Sequence, residues 1–231
     1  MMNKYVYASK DIFFSFLTIV PLVIIYEILA YVNNFKTAFN IRNGADVAIR
    51  NIFHIFGGYE DFVYSFGLIL FLAFIFFRNK NSFLYSEINL SFMFLMILES
   101  VLYALSLHII LNILFSSFLM ASNPVLDKVY MSIGAGIWEE VLFRYFLIYF
   151  MVFTFKKLFN RISFWDYFLI VIISSYIFSI YHFMGPFGEV PSMFALFYRF
   201  IAGLALCLIF IFRGLGITVY THTFFNLYLI F

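Results

Sequence analysis

The chain has 231 residues, of which 65% are hydrophobic and only 11% charged, whereas a soluble domain carries about a quarter charged residues. A water-soluble fold of this size cannot bury so much apolar surface, so most of the chain must face lipid. The net charge of +2 does not indicate a nucleic-acid-binding protein. The single cysteine, Cys207, excludes an internal disulfide.

Apolar segments of about 20 residues, the length that crosses a bilayer as a helix, recur along the whole chain. The first, 12–33, follows a lysine-containing start but lacks the small-residue cleavage site of a signal peptide, which predicts a retained span. A polar connection follows, and its stretch Ala45 to Phe56 is typical of an amphipathic helix at the membrane interface. Six further spans are predicted at 60–77, 89–119, 131–155, 165–183, 193–212 and 214–231.

The pattern therefore predicts an all-α, polytopic bundle of about seven transmembrane helices, forming one membrane domain over 1–231. Lys and Arg favour the cytoplasmic side of short loops, and the larger set falls on one side if the N-terminus is cytoplasmic. That set is Lys4, Lys10, Arg78, Lys80, Lys156, Lys157, Arg161 and Arg213, against Lys36, Arg42, Arg50 and Lys128. We predict a cytoplasmic N-terminus and a C-terminus on the opposite side.

Ionisable side chains inside the predicted spans indicate functional positions, because each costs at least ~2.5 kcal/mol on insertion scales. They are Glu27, Glu99, His108, Glu139, Glu140, Arg144, His182, Arg199 and His222. Five of these nine fall in three short segments on separate spans, those around positions 139–144, 182 and 222. This concentration favours one shared site.

The first segment holds two adjacent acids. On a helix Glu140 and Arg144 are i,i+4 neighbours and can pair, while Glu139 points about 100° away and remains available. Gly134 and Gly136 precede them and allow close helix packing. The alternative interpretation is a structural ion pair between helices, with the second acid facing a wet cavity.

The other two segments supply imidazoles and a carboxamide: His182 ends one span, and His222 and Asn226 share a face of the last. Each alone is typical of a packing or inter-helix hydrogen-bonding residue. Together with Glu139 they match the needs of peptide hydrolysis, which are an activated water, a proton donor and oxyanion donors. Two histidines and one glutamate (His182, His222, Glu139) are also a catalytic zinc set, so metal and metal-free chemistry both remain open.

At these residues the sequence resembles the CPBP family, the CAAX protease and bacteriocin-processing group also called Abi. The family signatures EExxxR, FxxxH and HxxxN stand here, in order and on separate spans, as Glu139-Glu140-x-x-x-Arg144, Phe178-x-x-x-His182 and His222-x-x-x-Asn226. The resemblance covers roughly 125–231, the predicted catalytic core. It implies an intramembrane endopeptidase related to the type II CAAX prenyl proteases, acting on a leader peptide, a sorting tail or another membrane-associated peptide.

In that family the first glutamate and the middle histidine are thought to activate water, and the last histidine and asparagine to stabilise the oxyanion. These roles would fall to Glu139, His182, His222 and Asn226, with Glu140 and Arg144 as support and no metal preferred. The composition is typical of an AT-rich prokaryotic genome. A proton- or ion-coupled transporter and a catalytically silent membrane scaffold are the alternatives.

Several polar residues match no family signature. We interpret Glu27, Glu99, His108 and Arg199 as inter-helix hydrogen-bonding groups in preference to substrate-binding ones. The segment from Arg42 to Asp46 has no assignment.

Overall fold

The computed structural model describes residues 2–36, 42–85, 90–115, 125–185 and 188–230. Across these ranges the chain is helical and contains no β-strand, which confirms the predicted all-α class. The helices are α1 (Met2–Lys10), α2 (Ile12–Lys36), α3 (Gly44–Asn51), α4 (Glu60–Tyr85), α5 (Leu90–Phe115), α6 (Val125–Gly134), α7 (Ile148–Phe159), α8 (Phe164–Tyr181), α9 (Met193–Arg213) and α10 (Leu215–Tyr228). The end of the predicted span 89–119 and the side chains of Lys36, Arg78 and Lys80 lie outside the described residues.

Four described helical stretches are long and apolar enough to cross a membrane: Ile12–Val32, Leu90–Phe115, Phe164–Tyr181 and Met193–Arg213. Large apolar side chains such as Leu102 and Phe150 are exposed on the outside of the bundle, as lipid-facing residues are. The protein is therefore an integral membrane protein. The remaining predicted spans are shorter or interrupted: the apolar part of α4 is Phe62–Phe71, and α10 has 14 residues.

Helix α10 lies at the centre of the bundle. It packs against α2, α5, α6 and α9. Every residue from Leu215 to Thr223 is buried, followed by Phe225 and Asn226. A helix that is buried all round belongs to the core, so the polar side chains of α10 face other helices.

A continuous helical path from α6 to α7 passes through two π-helical segments, Ala135–Glu139 and Val141–Leu147. Turns of π-helix are rare in proteins, and those that occur are often found at functional sites. The two adjacent glutamates, Glu139 and Glu140, sit where the two segments meet. The backbone irregularity therefore coincides with the acidic pair that the sequence singles out.

Two glycines just before this pair permit close packing, as predicted. A Cβ on Gly136 would lie 1.9 Å from Thr223 Oγ1 on α10, and one on Gly134 would lie 2.6 Å from the ring of Tyr26 on α2. Both positions therefore require glycine.

The polar connection after α2 folds onto the protein. Helix α3 buries Ala45 and Asp46, and a 3₁₀ helix from Ile52 to Tyr59 follows, with a kink at Gly57. The predicted amphipathic helix is thus shorter than expected. Its N-terminal turn packs against the π segment that ends at Glu139.

Candidate active site

Glu140 is completely buried and held from two sides. Its Oε2 lies 3.1 Å from Arg144 Nε, as the i,i+4 spacing predicts. Its Oε1 lies 2.7 Å from Nδ1 of His222 on α10. The second contact joins residues 82 positions apart in the chain, and sequence reasoning did not identify it.

Arg144 is also fully buried, and three contacts fix its guanidinium. Besides Glu140, it donates to the backbone carbonyl of Gly203 on α9 at 3.4 Å. It lies over the ring of Phe178, with its central carbon 4.2 Å from the ring centroid. A buried cation needs such compensation. Arg144 therefore ties three helices together around the acidic pair.

The Phe178 ring contacts three polar side chains of the motifs, those of Arg144, His182 and His222. Its ring meets the His182 ring edge-on at 4.9 Å between centroids and the His222 ring at 5.9 Å. The aromatic residue of the FxxxH motif thus separates the two imidazoles and packs beneath Arg144. This arrangement gives a physical reason for an aromatic residue at that position.

Glu139 is buried, with 6% of the residue exposed, and its two oxygens have different surroundings. Oε1 accepts a hydrogen bond from Asn43 Nδ2 at 3.0 Å. Oε2 faces Nε2 of His182 at 3.7 Å and has no hydrogen-bond partner. Two helices therefore bring together the acid and the imidazole that the sequence paired.

The backbone fixes the tautomer of neutral His182. Its Nδ1 lies 2.9 Å from the carbonyl oxygen of Phe178, and because a carbonyl only accepts, Nδ1 must carry the proton. In the neutral ring Nε2 is then an acceptor. Two acceptors, Nε2 of His182 and Oε2 of Glu139, consequently face each other.

His222 and Asn226 lie one turn apart on α10, and both are buried. Because Nδ1 of His222 is engaged by Glu140, Nε2 is its remaining nitrogen. The four titratable groups thus form two pairs, Glu139 with His182 and Glu140 with His222. Within the part of the chain that the structure describes, no three His, Cys, Asp or Glu side chains are grouped to hold a metal ion.

Three of the unassigned residues form contacts between structural elements. Glu99 on α5 accepts from Arg213 of α9 at 2.5 and 2.7 Å, which confirms an inter-helix role. The His108 ring contacts the Tyr228 ring of α10. Arg199 on α9 pairs with Glu189 in the segment after α8.

The residue that sequence reasoning missed is Asn43. It lies 96 positions before Glu139 in the chain, and its only local signal is the Asn-Gly-Ala-Asp sequence of a helix start. That signal predicts a cap and carries no information about a distant carboxylate.

Apolar helices with two glutamates and two histidines between them define an integral membrane protein with a buried acid–histidine site. Residues 121–228 match the family described as type II CAAX prenyl endopeptidase Rce1-like. The matched part of the chain contains all three motifs and is similar to that family, and the match confirms the CAAX-protease resemblance. Comparisons with curated proteins and with solved structures give no match.

Proposed function

We propose that this protein is an intramembrane endopeptidase that hydrolyses peptide bonds of a membrane-associated substrate with water activated by Glu139 and His182. The observation that carries the proposal is the 3.7 Å separation of two acceptors, Glu139 Oε2 and His182 Nε2. A water molecule donates two hydrogens, so one placed here can donate to both groups. Its lone pair then faces outward as the nucleophile.

The reaction proceeds as follows. Water oxygen bonds to the carbonyl carbon of the scissile peptide as one water proton passes to Glu139. The carbonyl oxygen becomes an oxyanion, and Asn226 Nδ2 donates a hydrogen bond to it. The proton on Glu139 then moves to the peptide nitrogen, the C–N bond breaks, and an amine and a carboxylic acid result, the second water proton remaining on the acid.

The hydrogen bond to Glu140 constrains what His222 can do. Towards an ionised Glu140, Nδ1 of His222 must donate, so neutral His222 has no proton on Nε2. His222 can assist the oxyanion only as the imidazolium, whose second proton sits on Nε2. Glu140 then faces two cations, Arg144 and His222, and stabilises both.

The substrate we propose is a leader peptide, a C-terminal sorting tail or another membrane-anchored peptide in a prokaryotic membrane. We propose a metal-free reaction, because Nδ1 of His222 is engaged by Glu140 and only Glu139 and His182 face each other at the proposed water position. We propose that residues 1–231 form one membrane domain and that residues 125–231 are its catalytic core.

The test compares cells that express wild-type protein with cells that express Glu139→Gln, an isosteric variant. We expect a set of peptide termini in the membrane fraction that requires the wild-type enzyme and disappears in the variant, measured by terminal-selective mass spectrometry. The variant must insert and melt as the wild type does. Identical termini in both strains would contradict the protease and favour the silent scaffold. Activity lost to a chelator and restored by zinc would overturn the metal-free reaction.

A further inference from the structure

Asn43 makes three contacts, two through its side chain and one through its backbone N–H. Its Oδ1 accepts from the backbone N–H of Ala45 at 2.9 Å, as the N-cap of α3. Because an N–H only donates, the amide nitrogen must be on the other side, where Nδ2 donates to Glu139 Oε1 at 3.0 Å. The backbone N–H of Asn43 in turn faces the hydroxyl of Tyr26 at 3.3 Å. The amide therefore cannot flip without losing a hydrogen bond on both sides.

We propose that Asn43 is a positioning residue that holds Glu139 so that Oε2 points at His182. The inference rests on the proposed function and adds a residue from outside the 121–228 family match. By occupying Oε1, the Asn43 amide stops the carboxylate from rotating and leaves Oε2 as the oxygen available to water. Glu139 must accept a proton from water and later donate it to the peptide nitrogen, so its reactive oxygen has to be held in one direction.

A buried ionic cluster anchors the segment that carries Asn43. Asp46, on the first turn of α3, is completely buried and accepts from Arg42 at 3.0 Å and from Arg50 at 2.9 Å. Glu27 of α2 binds the same two arginines at 3.2 and 3.0 Å. Burial lowers the pKa of Arg42, but Glu27 and Asp46 raise it more, so the net pKa lies above its ordinary value.

The hydroxyls of two tyrosines complete the coordination of Asp46. Tyr26 donates to it at 3.0 Å and Tyr64 at 3.2 Å. The cluster thus connects α2, α3 and α4 through residues that precede and follow Asn43 in the chain. This gives the unassigned segment from Arg42 to Asp46 a role: it fixes the loop that reaches the catalytic carboxylate.

The helix that carries Glu139 is shaped to receive Asn43. A Cβ on Gly134 would lie 2.9 Å from Asn43 Cβ, so the absence of a side chain there allows the approach. Two features therefore allow Asn43 to reach Glu139. The loop that carries Asn43 is capped and anchored, and Gly134 has no side chain to block the approach.

The test uses variants that keep the cap and change only the contact. Asn43→Ser retains an N-cap acceptor but is too short to reach Glu139. We expect kcat to fall roughly 10- to 100-fold, with KM within about twofold and an unchanged unfolding temperature. Asn43→Asp also caps α3 but turns a second carboxylate towards Glu139, and we expect a larger fall in kcat. The substrate is a peptide identified by its Glu139-dependent terminus.

Ser163→Ala is the matched control, because Ser163 caps α8 through Asp166 and contacts none of the site residues. It should lower the unfolding temperature and leave kcat unchanged. Wild-type kcat in both Asn43→Ser and Asn43→Asp would reduce Asn43 to a helix cap and overturn the inference.

A second readout separates this inference from the proposed function. The infrared carboxylate band of Glu139, isolated as the difference between wild type and Glu139→Gln, should shift in Asn43→Ser because one oxygen loses its donor. If no substrate is cleaved, the protease proposal fails, while a shifted band still supports the contact. An unchanged band would refute the contact whether or not the protein is a protease.

Discussion

At the scale of single residues, Asp46 is the completely buried acid at the centre of the ionic cluster formed with Arg42, Arg50 and Glu27. It is fully buried between Arg42 and Arg50, whose side chains are 12% and 13% exposed. Removing one member of a buried ion network leaves the others uncompensated. Asp46→Ala should therefore lower the free energy of unfolding by about 3–5 kcal/mol, measured by chemical unfolding in detergent micelles.

Glu27→Ala is the comparison. Glu27 contacts the same two arginines, but its side chain is 41% exposed, and both arginines keep their contacts with Asp46 when Glu27 is removed. We therefore expect a smaller loss, of about 1 kcal/mol or less. Equal losses for Asp46→Ala and Glu27→Ala would show that burial does not set the strength of this network.

Residue-scale prediction from the sequence succeeds where spacing is local. Glu140 and Arg144 pair because positions four apart share a helix face. The contact of Asn43 with Glu139 spans 96 positions and that of His222 with Glu140 spans 82. Such contacts depend on how the helices pack, which no spacing encodes. The concentration of ionisable residues and the three-motif resemblance indicate that the motif residues converge, but neither indicates Asn43.

At the scale of secondary-structure elements, the packing of α10 against the π segment sets the geometry of the site. A Cβ on Gly136 would meet Thr223 Oγ1 at 1.9 Å and backbone atoms of Thr223 and Val219 at 2.9 Å. Backbone cannot swing aside, so Gly136→Ala must push α10 away. Thr223 follows His222 directly, and the contact of His222 with Glu140 would open.

We expect Gly136→Ala to cost about 1–3 kcal/mol of stability and roughly 100-fold in cleavage rate. Gly67→Ala is the control: Gly67 lies inside α4, and a Cβ there approaches nothing closer than 4.0 Å. It should leave activity unchanged and be neutral or stabilising by up to about 1 kcal/mol. Equal activity in the two variants would contradict the role given to the α10 interface.

Element boundaries follow less completely from the sequence than element type. Apolar stretches predict α2, α5, α8 and α9 because a span of lipid-facing residues has a minimum length. The short α10 is predicted as a span from its apolar composition, yet it is enclosed by other helices. Hydropathy does not distinguish a surface that faces lipid from one that faces protein, since both are apolar.

At the scale of the whole molecule, contacts place α1 and the end of α10 at opposite ends of the bundle. A Cβ on Gly214, between α9 and α10, would lie 2.4 Å from the carbonyl of Ser9 on α1. Tyr228, at the other end of α10, contacts His108. The basic residues Lys10 and Arg213 lie at the α1 end, which the loop charges predict to be the cytoplasmic end.

The candidate site lies towards the other end. Asn43 precedes α3, and His182 directly follows the last residue of α8. Helices α8 and α9 run antiparallel, because Ser179 donates to the carbonyl of Leu196 while Ser175 contacts Cys207. His182 therefore lies at the end of the bundle opposite Arg213. With a cytoplasmic N-terminus, the site is nearer the outer face, and substrates would be cut there.

This orientation is tested with single cysteines introduced after the buried Cys207 is replaced by Ala. Ile55, exposed beside α3, and Tyr7, exposed on α1, mark the two ends. A membrane-impermeant thiol reagent added to intact cells should label Ile55→Cys and spare Tyr7→Cys, which reacts only after lysis. The opposite pattern would place the site at the cytoplasmic face, and the proposed substrates would then have to be cleaved before export. Labelling of both positions in intact cells would contradict the opposed ends that the helix contacts imply.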